Sequence, residues 1–180
     1  ENKYFKSIDG VLFSKSQSII YLYPNGKKES SYTVPDGIET INNYCFYMNT
    51  YIKTIILPDS ITKINSNAFY DCINLETINF PVNLESIQSY SFGYCINLKS
   101  VNLNEKLEQL DYCAFYGCES ITSITIPNGL KEVRYYSFAS CKKLSSVIYK
   151  GKFDIYHGDS IFYLNSENLQ FSMSPEYLHN

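Results

Sequence analysis

A phenylalanine returns every 23 residues through the middle of this chain, at Phe46, Phe69, Phe92, Phe115 and Phe138. A fixed period of this length marks a solenoid, in which each unit is one turn too small to bury its own apolar face and must stack on its neighbours. Architecture is therefore constrained before any motif is considered. Function is constrained far less, because repeated columns specify a core and a solenoid usually works through a surface.

Aligned on the phenylalanine, full units begin at Thr33, Ile56, Asn79, Asn102 and Thr125, with a degenerate sixth from Ile148. Position 2 is apolar (Val34, Leu57, Phe80, Leu103, Ile126) and position 3 is Pro35, Pro58, Pro81, Asn104 and Pro127. Positions 6 and 9 are aliphatic, as in Ile61/Ile64 and Leu84/Ile87. A small residue precedes each Phe, and three residues after it stand Asn49, Cys72, Cys95, Cys118 and Cys141. Two periodicities alternate within a unit. Leu75-x-x-Ile78-x-Phe80 has the inward alternation of a strand, closed by a proline that cannot donate to a ladder. In Ser66–Cys72 the spacings of Ala68, Phe69 and Cys72 predict one helical turn with its apolar face inward. Each turn should then run strand, corner, short extended piece, short helix. Copies stacked about 4.8 Å apart make five units a slab of roughly 20–25 Å.

The string L-x-x-I-x-x-P-x-x-L-x-x-I-x-x-x-A-F-x-x-C, as Leu75 to Cys95 with Ser91 in place of Ala, resembles the 23-residue Treponema-type leucine-rich repeat of the BspA-like surface proteins. The resemblance is close over residues 33–147 and extends to Asp9–Phe13 and Tyr23–Lys27, which are similar to the family's lead-in to a repeat array. Asn104 for proline and Asn49 for cysteine are the departures. Repeat and resemblance together imply an α/β solenoid, a right-handed leucine-rich repeat with a parallel β-sheet on one face and short helices or 3-10 turns on the other. Residues 1–32 are expected to form an N-terminal β-hairpin cap from Val11-Leu12-Phe13 and Ile19-Ile20-Tyr21-Leu22. Residues 33–147 are the five repeats, and 148–180 a degenerate repeat and C-terminal cap. There Ile161-Phe162 comes one residue late for the Phe position, and Leu169, Phe171 and Met173 read as a closing strand. The start at Glu1 fits a processed product or a cut fragment.

The four in-register cysteines read best as free buried thiols, each a small apolar residue with a weak donor. Asn49 at the equivalent place would likewise donate to backbone carbonyls. Disulfides are disfavoured because in-register side chains run parallel and miss the near-perpendicular dihedral. Metal is disfavoured because no C-x-x-C pair occurs. Cys45 and Cys113 lie outside the ladder.

Three surfaces are candidates for function. Position 22 is an unbroken hydroxyl column, Thr54, Thr77, Ser100, Ser123 and Ser146, beside position 1, Ile56, Asn79, Asn102, Thr125 and Ile148. These residues should face out of the main sheet and could dock an extended peptide or glycan. Equally, Ser and Thr simply suit exposed strand positions. Tyrosines gather around the Phe, at Tyr44, Tyr90, Tyr112, Tyr135 and Tyr136 before it and Tyr47, Tyr70, Tyr94 and Tyr116 after it. Their rings should be partly exposed, either as a binding surface or stacked on one another to cover the core edge. Finally, Lys131, Arg134, Lys142, Lys143, Lys150 and Lys152 form a basic stretch opposed only by Glu132, a contact for an acidic partner or a solvated end.

A net charge of −3 gives no electrostatic reason to expect nucleic acid or a membrane surface. No apolar run reaches spanning length. The two histidines, His157 and His179, lie in the tail; His157 between Asp154 and Asp159 is the nearest approach to a catalytic pair. No nucleophile elbow, phosphate loop, dinucleotide fingerprint or zinc-protease motif occurs. The expectation is a non-catalytic binding module without cofactor or metal, contacting protein or glycan. It would belong to an adhesin-like protein at the cell surface or outside the cell. The alternative is a cytoplasmic interaction scaffold.

Overall fold

A computed structural model describes residues 2–150 and 158–173, the side chain of Asp159 excepted. The strands are β1 (Phe5–Ile8), β2 (Val11–Ser14), β3 (Ile19–Leu22), β4 (Ser31–Thr33), β5 (Thr40–Ile41), β6 (Thr54–Ile56) and β7 (Lys63–Ile64). They continue with β8 (Thr77–Ile78), β9 (Ser86–Ile87), β10 (Gln109–Leu110), β11 (Ser123–Ile126), β12 (Glu132–Val133), β13 (Ser146–Tyr149) and, after a single helical turn α1 (Gly158–Ile161), β14 (Gln170–Met173). The chain is a parallel β-solenoid. Strands β1, β2 and β3 form an antiparallel meander, and β3 then pairs in parallel with β5, so the N-terminal strands close the sheet's first edge.

The longest sheet is not the expected one. It runs β1-β2-β3-β5-β7-β9-β10-β12 and is built from positions 8 and 9, where the sequence promised only a short extended piece. The expected main sheet is split into β4-β6-β8 and β11-β13-β14, linked to neither side at Ser100; only a bridge between Val101 and Ile124 resumes the pairing. The segment at the break leads directly into Asn104, the residue that stands in place of proline. Its side-chain amide donates to the carbonyls of Pro81 (2.6 Å) and Leu84 (3.1 Å), tying that corner to the previous turn.

The helical turn predicted for Ser66–Cys72 and its copies is absent; the segment is a run of tight turns. Its inward residues are as expected, with Ala68, Phe69 and Cys72 all buried. The backbone differs because alternate N–H groups leave the turn. Asn67, Phe69 and Asp71 donate to Ser89, Ser91 and Gly93 of the next unit at 3.0, 2.7 and 2.7 Å, while Ala68, Tyr70 and Cys72 donate three residues back at 3.2 Å. Alternation of this kind needs a left-handed residue every fourth position. Tyr44, Asn67, Tyr90, Cys113 and Tyr136 (φ 55–63°) hold one column and Met48, Asp71, Tyr94, Gly117 and Ser140 (φ 56–72°) the other. A helix would satisfy its own bonds locally; here they are traded for bonds along the stack.

Inside, the phenylalanine rings stack at 5.0 Å from Phe46 to Phe69 to Phe92 to Phe115, and at 5.2 Å to Phe138. Two further rings extend the column. Tyr23, one period before Phe46, stacks on it at 5.1 Å, and Phe162 lies 6.0 Å beyond Phe138 at an interplanar angle of 11°. The thiols of Cys72, Cys95, Cys118 and Cys141 donate to the carbonyls of Phe46, Phe69, Phe92 and Phe115 at 3.0–3.3 Å. All six cysteines are free and buried. Asparagines bracket this ladder. Asn165 donates to Phe138 O at 2.9 Å, the role expected of Asn49, whereas Asn49 accepts from Tyr51 and Ile52 and its amide nitrogen finds no acceptor among the described residues.

Burial gives this core an alkaline limit. It pushes the Cys72 and Cys141 thiols and the Tyr149 hydroxyl up to about 12, and Tyr23 to about 12 with help from the neighbouring Glu29 carboxylate. In the unfolded chain these groups lose their protons at ordinary values, near 9 for thiols and 10 for phenols. Their contribution to stability is thus complete below about pH 9 and lost as pH climbs towards about 12. Urea midpoints should be level between neutrality and about pH 8.5 and fall steadily above it; a midpoint unchanged at pH 11 would contradict the assignment.

Candidate functional site

The hydroxyl column is only partly a surface. Thr77, Ser100 and Ser123 are exposed, while Thr54 and Ser146 are half-buried. Thr54 pairs in register with Thr77, and Ser123 with Ser146, but the sheet break falls at Ser100 and divides the column. In position 1, Ile56, Asn79 and Asn102 are exposed and Thr125 and Ile148 half-buried. Asn79 is already engaged. Its oxygen accepts from Leu57 N at 2.7 Å and its nitrogen donates to Leu57 O at 2.8 Å, so the side chain replaces a missing strand partner.

The tyrosines form a more continuous feature. An open trough of about 630 Å³ is lined by Tyr44, Tyr47, Asn67, Tyr70, Tyr90, Tyr94, Cys113, Tyr116, Tyr136 and Tyr163. It lies over the left-handed corners, whose backbone pose carries these side chains outward. A chain of ring contacts runs along it, Tyr44–Tyr47 at 5.4 Å, Tyr47–Tyr70 at 5.4 Å, Tyr70–Tyr94 at 5.5 Å and Tyr94–Tyr116 at 5.3 Å. Glycines make room for it. A Cβ on Gly93 would stand 3.0 Å from the Tyr70 ring, and one on Gly117 the same distance from the Tyr94 ring. The Tyr90 hydroxyl is pushed up to about 12, first by its hydrogen bond with Cys113 and then by burial, so the phenol is neutral at physiological pH. The trough therefore offers ring faces and neutral hydroxyls, preset by contacts among the rings themselves. Individual tyrosines were legible as half-exposed; the glycine gaps that let them lie against the backbone were the signal missed.

The basic stretch is not one patch. Lys131 pairs with Glu108 at 2.7 Å, Lys142 with Glu119 at 2.6 Å and Lys150 with Glu105 at 3.2 Å, and Arg134 pairs with Glu132. Two of these acids sit one full period before their lysine, so Lys131 and Lys142 are paired between turns, while Lys143 is exposed. Lys152, His157 and Asp154, and the side chain of Asp159, fall outside the described residues. Among the described residues no cluster of three or more His, Cys, Asp or Glu is placed to hold a metal, and no helix is long and apolar enough to cross a membrane.

These features define a leucine-rich-repeat-like solenoid. The chain belongs to the BspA-type leucine-rich repeat family, whose model matches residues 20–145 and 62–179 within a region of six copies. Among solved structures it is similar to the pneumococcal vaccine antigen PcpA, with 28% identity and a TM-score of 0.84 over 97% of this chain and 44% of that one. It is also similar to a leucine-rich cell surface protein from Faecalibacterium prausnitzii, with 27% identity and a TM-score of 0.77 over 89% of this chain and 43% of that one. A Treponema pallidum leucine-rich repeat protein shares the fold at 23% identity and a TM-score of 0.72, with 96% and 84% covered. The chain spans less than half the length of the first two. A search of curated proteins gave no significant match.

Proposed function

We propose that this chain is a non-catalytic binding module of a surface or secreted adhesin-like protein, making contact with a protein or glycan along one long face. The observation that carries the reading is the tyrosine trough. It crosses several turns, is lined by rings that lose little rotamer freedom on contact, and combines large area with hydrogen-bonding tips. Its similarity to a protein described as a cell surface protein and to a vaccine antigen supports the placement. The hydroxyl column is the lesser face, because it is interrupted and Asn79 is occupied. Affinity would be spread over many modest contacts.

Two variants test this in a screen against glycans and extracellular-matrix proteins. Tyr90→Ala with Tyr136→Ala should weaken a partner's binding at least about tenfold, on the order of 1.4 kcal/mol or more. Changing Thr77, Ser100 and Ser123 to Lys should leave it within about twofold. The opposite pattern would assign binding to the hydroxyl column instead.

A further inference from the structure

We infer that the chain of tyrosine rings is a site of oxidative modification, at which a one-electron oxidant joins Tyr47 to Tyr70 as a dityrosine bridge between successive turns. The oxidant class is a haem peroxidase working with hydrogen peroxide. The sequence holds no tryptophan and all six cysteines are buried, so the exposed phenols are its most accessible one-electron donors. Ring contacts link Tyr44 through Tyr47, Tyr70 and Tyr94 to Tyr116, at 5.3–5.5 Å from ring to ring. Tyr44 and Tyr94 are exposed, so a hole opened at either one passes along touching rings to the pair between them.

Position 15 of the repeat fixes where the bond forms. It reads Tyr47, Tyr70, Gly93, Tyr116 and Ala139, so Tyr47 and Tyr70 are its only consecutive tyrosines. Their rings lie 5.4 Å apart with planes 12° from parallel, whereas the other contacts along the chain are edge-to-face at 71–80°. Parallel rings from one column carry their hydroxyl ends side by side. The Tyr70 phenol is accordingly pushed up, first by burial and next by the Tyr47 phenol beside it. Dityrosine forms between the ring carbons adjacent to the hydroxyls, and this arrangement sets those carbons near one another. Beyond Tyr70 the column continues as Gly93, so no third ring competes for the same partner.

Each phenol gives one electron to the peroxidase and its hydroxyl proton to water in the open trough. The two phenoxyl radicals then form one carbon–carbon bond, and the two displaced ring hydrogens return to the oxygens as hydroxyl protons. Hydrogen peroxide takes up the two electrons and two protons and leaves as two molecules of water. The product ties together residues 23 apart on neighbouring turns, and such a tie stabilises chiefly by restricting the unfolded chain.

The intact chain is treated with a haem peroxidase and limiting hydrogen peroxide, the monomer is isolated by gel filtration, and its tryptic peptides are read by mass spectrometry. Dityrosine fluorescence should appear in the monomer, with peptide 29–53 joined to peptide 64–99 and lighter by two hydrogens. Tyr47→Phe and Tyr70→Phe should each abolish that joined pair. Tyr51→Phe should leave it unchanged, since Tyr51 shares the first peptide and is exposed but does not line the trough. Phenylalanine keeps the ring in place, and an unchanged melting temperature in each variant would show that the fold is retained. Dityrosine confined to dimers, or a joined pair that survives Tyr70→Phe, would overturn the inference. So would an equal yield of peptide 107–131 joined to 135–142, because exposure rather than ring contact would then decide the site. There Tyr112 and Tyr135 stand 6.2 Å apart and the Arg134 guanidinium lies over Tyr112, where its charge opposes a hole on the ring. These readouts involve no ligand, so their failure leaves the trough's standing as a binding face to the glycan and matrix-protein screen.

Discussion

Replacing Phe92 by alanine should lower the unfolding free energy by about 3–5 kcal/mol. Its ring is fully buried and lies between Phe69 and Phe115 at 5.0 Å on each side, with interplanar angles of 12° and 2° and Phe80 tilted against it at 5.6 Å. The neighbours are held by the corner ladder and by the continuous sheet through β7, β9 and β10, so the void left by the ring cannot readily collapse. A central position also matters for cooperativity. Stability in a repeat array is a sum of unit terms and nearest-neighbour interfaces, and this substitution weakens two interfaces at once. Urea denaturation followed by circular dichroism should therefore show a lower midpoint and a broader transition. A loss below about 1 kcal/mol would mean that the stack is not what holds the turns together.

Gly129→Ala should cost about 2–3 kcal/mol, a large effect for a single methyl. A Cβ there would stand 1.9 Å from the Glu105 carbonyl oxygen and 3.0 Å from its carbon. Both are backbone atoms of the preceding turn, so no side chain can swing aside; the two turns must separate locally. Gly26→Ala is the matched control. Nothing lies within 4 Å of a Cβ at Gly26, so that change should stay within about 0.5 kcal/mol. Equal effects in the two variants would show that helix and turn propensity, not the approach of the turns, decides the outcome.

Much of the core was legible because the period fixes it. The phenylalanine and cysteine columns, the buried Ala68 and the aliphatic pairs all follow from side-chain spacing, which is the same whether a short segment is helical or a run of turns. That is also why the predicted helix was not found. Spacings of three and four report which side chains share a face, but not where the backbone N–H groups go. Gly129 shows the same limit, since its column holds Gly37, Ser60, Asn83 and Lys106 elsewhere, and even Gly37 has nothing within 4 Å of a Cβ. Tyr23 could have been found by counting one further period back from Phe46. Four of the five hydroxyl residues lie on strands and Ser100 does not, and Asn79's bond to Leu57 depends on where the sheet ends, which no column records. The trough was harder, because Tyr70 and Tyr94 lie over Gly93 and Gly117, an approach between neighbouring turns that no single column records.

The alternating donation of N–H groups from each corner to the next has a mechanical side. Bonds in the corner ladder, like those of the sheets, lie along the axis of the stack, so tension applied along that axis loads one interface between turns at a time. Such an array yields stepwise, each turn letting out 23 residues and roughly 75–80 Å of slack before the next is strained. A structure that grips with a broad face and pays out chain in increments would dissipate a pull in stages instead of passing it whole to its contacts.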